Sequence, residues 1–85
     1  METMKLLKFS KSNCLPCEQV TQWLDRNEIM YEEINPFDNP ELAGKYKVRT
    51  VPSLLLIVDD EIKVRLTGYN PDELQVHLLE FSMIK

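Results

Sequence analysis

The chain opens on a dense alternation of basic and apolar positions. Lys5-Leu6-Leu7-Lys8-Phe9-Ser10 carries too many apolar residues for a solvated edge and predicts a short buried strand. A helix should begin at Cys14, with Pro16 in the first turn, where its missing N–H costs no hydrogen bond. Cys17, Val20, Thr21 and Leu24 then recur at i, i+3, i+4 and i+7, so one stripe of that helix faces inward. Arg26 and Asn27 suit its end. Residues 30–35 predict a second strand, and Asn39-Pro40-Glu41 the start of a second, shorter helix. Val51-Pro52 halts regular structure before a strongly β-forming run, Ser53 to Val58. After the polar turn Asp59-Asp60, residues 62–67 alternate with period two, which predicts a hairpin whose second strand is half exposed. Gly68 ends it. Asn70-Pro71-Asp72-Glu73 combines a cap, a first-turn proline and an acidic third position, and Leu74, His77, Leu78 and Phe81 mark the buried stripe of a last helix.

The predicted order is β-α-β-α-β-β-α. Its first two strands should be parallel through a right-handed crossover, and its last two an antiparallel hairpin. This is an α/β arrangement: a four-stranded mixed sheet with helices on both faces, in one domain spanning 1–85. Hydrophobic residues at 44% and charged residues at 28% match a globular chain and argue against disorder. The longest apolar run, Leu54 to Val58, falls far short of the ~20 residues that span a bilayer, so no membrane role is expected. A net charge of −4 without any Lys/Arg cluster excludes nucleic-acid binding as an expectation. The first eight residues contain an early acid and only two consecutive leucines, too little for a secretory signal. A cytoplasmic monomer is therefore expected.

In a reducing compartment the two cysteines, Cys14 and Cys17, take on meaning. A structural disulfide across so short a loop stabilises little. A structural zinc needs four ligands, and two cysteines with His77 leave it one short unless a carboxylate or a second chain contributes. A redox-active C-x-x-C pair is the favoured reading. A metal- or protein-binding module whose C-x-x-C is vestigial is the alternative from another class.

Physical chemistry assigns the two sulfurs different tasks. The thiolate is the nucleophile, and at an ordinary pKa of ~8.5 only ~3% of Cys14 would be ionised at pH 7. A helix N-terminus offers free N–H groups and partial positive charge, which favour the anion, and Lys11 lies near enough in sequence to add to them. Cys14 is thus the attacking sulfur. Cys17, one turn further in, should be more buried and poised to resolve the mixed disulfide. Leu15-Pro16 supplies an apolar contact and stiffens the turn.

Strand, Cys14-Leu15-Pro16-Cys17, helix, and Thr50-Val51-Pro52 before a strand together resemble the thioredoxin superfamily. The likeness continues through Asn39-Pro40, Lys45-Tyr46, Val48-Arg49, Ser53 to Leu56 and Gly68. It is nearest to thioredoxin itself, without the amino-terminal strand and helix of the longer members. The resemblance implies a dithiol–disulfide oxidoreductase acting as a protein-disulfide reductant. Its cofactor is none beyond its own disulfide, and electrons come from a thioredoxin-reductase-type enzyme or from glutathione. It further implies a cis Pro52 facing the cysteines, with the Val51 backbone free to pair with an extended client segment. Leu15, Pro16, Val51, Pro52, Gly68 and Tyr69 would line the docking surface. Lys11 matches a basic position that glutaredoxins use for the glutathione carboxylate. The segment Gly68-Tyr69-Asn70-Pro71-Asp72 is similar to one in small redoxins that reduce ribonucleotide reductase.

Two positions depart from the thioredoxin pattern. Lys8 stands where thioredoxins bury an acid, and Glu33 where they place a lysine. Solvent exposure of both is the expectation, and a pair with its charges swapped is the alternative. Trp23 is expected to be partly buried packing, and His77 a core or boundary residue.

Overall fold

The computed structural model describes residues 4–82, with side chains described as far as residue 79. Its elements are β1 (Met4–Phe9), α1 (Leu15–Arg26), β2 (Glu32–Ile34), α2 (Pro40–Lys45), β3 (Ser53–Val58), β4 (Glu61–Thr67) and α3 (Pro71–Ser82). The expected order holds throughout. The strands lie side by side as β2-β1-β3-β4. β1 runs parallel to β2, antiparallel to β3, and β3 antiparallel to β4.

Period-two alternation in the central strands divides the core into two layers. Leu6, Leu54, Leu56 and Leu66 point to one face, where Val20, Trp23 and Leu24 of α1 and Leu74 and Leu78 of α3 cover them. Leu7, Phe9, Ile34, Leu55 and Ile57 point to the other, packed by Leu42, Tyr46 and Val48 of α2 and its exit. Because β3 has a neighbour on each side and helices above and below, all six of its residues are buried. That is why its sequence is a continuous apolar run rather than an alternation. The edge strand β4 is mostly exposed, as its alternation predicts. Asp59 and Asp60 join the two strands with φ of 51° and 68°, the double left-handed geometry of a tight hairpin turn.

Three local expectations are refined. β2 is three residues long instead of six: the Ile29 amide is still held by the Leu24 carbonyl at 2.9 Å, so the chain is leaving α1 as residue 30 begins. Trp23 is fully part of the core, not partly buried. His77 sits at the boundary, its Nε2 3.1 Å from Glu73 one turn earlier. The caps behave unequally. Asn70 Oδ1 accepts from the Glu73 amide at 3.3 Å, whereas Asn39 turns its amide back to the Asn35 carbonyl. The side chain of Phe81 lies outside those described.

Candidate active site

β1 delivers the chain to one end of the sheet, where the Ser10 amide adds one more bond to β2 through the Ile34 carbonyl at 3.0 Å. Asn13, at φ 54°, turns the loop, and Cys14 follows in extended conformation as the cap of α1. The Cys17 amide donates to Cys14 Sγ at 3.2 Å, so sulfur takes the place of the usual capping oxygen. An N–H aimed at a sulfur favours its anionic form once the thiol is free. The two cysteines are joined in a disulfide, their Cα atoms 5.2 Å apart. Cys14 is 7% exposed and Cys17 2%, the expected order. Leu15, between them and the solvent, is 67% exposed, and Pro16 is exposed beside it.

A second segment arrives at the same end of the sheet because Ser53 is paired opposite Phe9. The Val51–Pro52 peptide is cis and Pro52 is buried. The Gly68 amide donates to the Pro52 carbonyl at 2.9 Å, and Ser53 Oγ donates to the Thr50 carbonyl at 2.6 Å. Gly68 adopts φ +73°, a conformation that favours glycine, so the tie between these loops depends on residue type. Val51 is half-buried against the α2-side layer, and neither its amide nor its carbonyl is hydrogen-bonded among the described residues. Tyr69 packs against the opposite layer, beneath α1 and α3.

On the groove that Cys17 lines, the structure overturns one expectation. Lys8 is not at the surface: it is 1% exposed, and its Nζ donates to Glu33 Oε2 at 2.7 Å. Ser10 Oγ donates to the same carboxylate oxygen at 3.1 Å, and the Tyr31 ring lies 5.9 Å from the ammonium. The reason is register. Lys8 shares the α1 side of a strand paired on both edges, directly opposite Glu33, so its stem runs over the sheet to the edge strand's acid. Glu33 itself remains 56% exposed. The Lys8 hydrogen bond holds its carboxyl below the ordinary range, against a smaller upward effect of burial. Burial raises the Tyr31 hydroxyl, which the hydrogen bond to Thr21 partly offsets.

Two grooves open at this end of the sheet, one of them reaching Cys17, and Lys11, exposed, lines both. One, of about 740 Å³, is walled by Lys8, Ser10, Cys17, Thr21 and Glu33. The other, of about 510 Å³, is walled by Phe37, Arg49, Thr50 and Val51. Tyr31 and Phe37 were not singled out from sequence, and Ser10 and Arg49 were named there only within a strand and a family likeness, not as site residues. Ser10 could have been, since it shares the parity of Leu6 and Lys8 in β1. Phe37 and Arg49 come from irregular loops, which carry no periodicity to read.

Comparison with known proteins agrees with this geometry. The glutaredoxin family model matches residues 6–62. A prophage-derived thioredoxin-like protein, YosR, of Bacillus subtilis is 35% identical over 78 residues, 91% of this chain and 98% of that protein. The glutaredoxin-like protein NrdH of Lactococcus lactis is 33% identical over 66 residues, 78% of this chain and 89% of that protein. Among solved structures, oxidised thioredoxin of Plasmodium falciparum superposes with a TM-score of 0.79 at 13% identity, covering 92% of this chain and 80% of its own. Spinach chloroplast thioredoxin f gives 0.80 at 16% identity, covering 93% and 76%. At those identities the structures speak for the fold alone. The sequence matches go further, to the family, and they cover the segment that holds the Cys14–Cys17 disulfide at the head of α1. A dithiol–disulfide oxidoreductase whose redox group is its own disulfide, this chain belongs to the glutaredoxin family of the thioredoxin superfamily.

Proposed function

We propose that the chain is a cytoplasmic, monomeric reductant of protein disulfides. The observation that carries this reading is the capping contact: the Cys17 amide 3.2 Å from Cys14 Sγ, at the one helix start whose cap is a thiol. Reduced Cys14 attacks a client disulfide as the thiolate. A Cys14–client bond forms, and the second client sulfur leaves and takes a proton from solvent. Cys17 loses its proton and attacks Cys14, which forms the Cys14–Cys17 disulfide and releases the second client thiol. Two electrons have passed to the client, and a separate reductase returns them. Val51 offers an unpaired amide and carbonyl to an extended client backbone, in the manner of an added strand. Leu15, Pro16, Gly68 and Tyr69 supply the apolar edge around it, with Pro52 behind.

A glutathione-coupled carrier, or an electron donor to ribonucleotide reductase, is the second reading. It is favoured by Lys11 and Arg49 on the 510 Å³ groove beside Val51, two cations suited to a small carboxylate-bearing thiol. Equilibration in graded thiol–disulfide buffers, with reduction coupled either to a thioredoxin-reductase-type enzyme or to glutathione, separates the two. A potential near about −270 mV with reductase turnover supports the first reading, and one near about −200 mV with glutathione turnover supports the second. The absence of a reversible two-electron couple would overturn both.

A further inference from the structure

A lysine is the residue that a solvent-excluded position should avoid, because burying an ammonium is costly without a partner. Here it is retained. Lys8 is 1% exposed, its carboxylate partner is more than half in solvent, and it walls the same groove as Cys17. The pair is therefore asymmetric: the cation lies inside, on the groove that Cys17 also walls, and the anion at the rim. The ammonium has three N–H donors. One goes to Glu33, and no second acceptor is found for it among the described residues. The other charged or titratable groups on this groove are Lys11, Glu18, Tyr31 and Asp38, and in the reduced protein the Cys14 thiol titrates beside Cys17 from the cap of α1. Lys11, Glu18 and Asp38 are exposed and screened by solvent, and Tyr31 is neutral below its raised titration range. Of the cations facing Cys17 from this groove, only Lys8 is withdrawn from water, where its field is strongest.

We propose that Lys8 is a positioning residue for the resolving step: its buried ammonium stabilises the Cys17 thiolate, and Glu33 sets the strength of that field. The device differs in kind from a buried carboxylate. A carboxylate can take the Cys17 proton, whereas an ammonium cannot. It lowers the cost of the anion and leaves the proton to solvent in the open groove. In the resolving step the Cys17 thiolate attacks Cys14, the Cys14–client bond breaks, and the client sulfur leaves with the electron pair and is protonated from solvent. The inference rests on the dithiol reading above, but its test uses neither client nor reductase.

The test is a pH titration of the fully reduced protein, with both cysteines labelled at Cβ and followed separately by NMR. Lys8→Met should raise the Cys17 midpoint by about one pH unit, which is about a tenfold loss of thiolate at pH 7. Glu33→Gln keeps a polar partner but removes the opposing charge, so the Cys17 midpoint should fall. Lys8→Arg should stay close to the unaltered protein. A merely structural pair does not move the midpoint in opposite directions. An unmoved Cys17 in folded Lys8→Met, or a shift of both single variants in the same direction, overturns the proposal. Should Lys8→Met fail to fold, Glu33→Gln decides: a lowered midpoint supports the proposal, and an unmoved one ends it. Failure of the protein to reoxidise reversibly would instead count against the dithiol function while leaving this titration readable.

Discussion

The two grooves at this end of the sheet differ in chemistry. Beyond Cys14 the chain continues into the exposed Leu15 and Pro16, and at the same end of the sheet lie the buried Pro52 and the unpaired backbone groups of Val51. The groove that Cys17 lines is polar and charged, with Lys8, Ser10, Thr21 and Glu33 on its wall. Under the proposed function the apolar side is the one for recognition, since Leu15 is exposed and the Val51 backbone is unpaired. The polar side suits control of ionisation, since charges withdrawn from water act strongly over short distances. α1 permits this division because residues three apart share a face while the first turn separates cap from interior. Attack and resolution can thus be tuned by different residues.

Breaking the pair itself has the largest expected effect. Cys17→Ser leaves Cys14 able to attack but removes the group that resolves the product. Multiple turnover with a protein disulfide should fall by at least about a hundredfold, since nothing else at this site supplies a second thiol. A mixed disulfide should accumulate, visible by non-reducing electrophoresis and mass spectrometry. Cys14→Ser should show no such adduct. Equal adduct formation by both variants would contradict the assignment of roles.

A charge on the apolar side comes next. Leu15 is 67% exposed and touches no core layer, so Leu15→Asp should leave thermal stability within about 0.5 kcal/mol. Its effect should be confined to recognition. For a protein disulfide, kcat/KM should drop about tenfold, the size of a typical desolvated-contact loss near 1.4 kcal/mol. Reduction of a small-molecule disulfide, which needs no docking surface, should change far less. A uniform loss with both substrates would place the damage at Cys14's ionisation rather than at the client.

How much of this was legible in the sequence follows the same division. The cis Val51–Pro52 bond was legible through the family resemblance carried by Cys14-Leu15-Pro16-Cys17 and Thr50-Val51-Pro52, and the end of β4 through Gly68, whose left-handed backbone suits its residue type. The fold was readable for a similar reason, since the runs Leu6-Leu7 and Leu54 to Val58 have the periods of buried strands. On the polar side Lys8 was misread, whereas Glu33 is exposed as expected and the charge-swapped pair was the alternative. Lys8 and Glu33 are 25 residues apart, and only the register of β1 on β2 brings them together. Even so, a signal was present. Lys8 lies between Leu7 and Phe9 in the inner part of β1, where all four residues from Leu6 to Phe9 are buried. β2 was overextended for the complementary reason: its boundary is set by where α1 releases the chain, which local pattern does not record.

The smallest expected effect isolates what the Lys8–Glu33 pair does for stability alone. Glu33 has its carboxyl held below the ordinary carboxylate value of 4.5, chiefly by the Lys8 hydrogen bond. A carboxyl depressed in the folded state contributes stability above its unfolded value, and loses it as pH falls through the folded one. With more than half of Glu33 in solvent, that contribution is screened and is on the order of 1 kcal/mol. Glu33→Gln should therefore be slightly less stable than the unaltered protein at pH 7. The gap should close on acidification, beginning near pH 4.5 and completing below the depressed folded value. Urea midpoints at pH 7, 5 and 3 measure it. A gap that stays constant with pH would mean that Glu33 contributes through shape or hydrogen bonding rather than charge. The electrostatic asymmetry between the two sides of the disulfide would then rest on Lys8 alone.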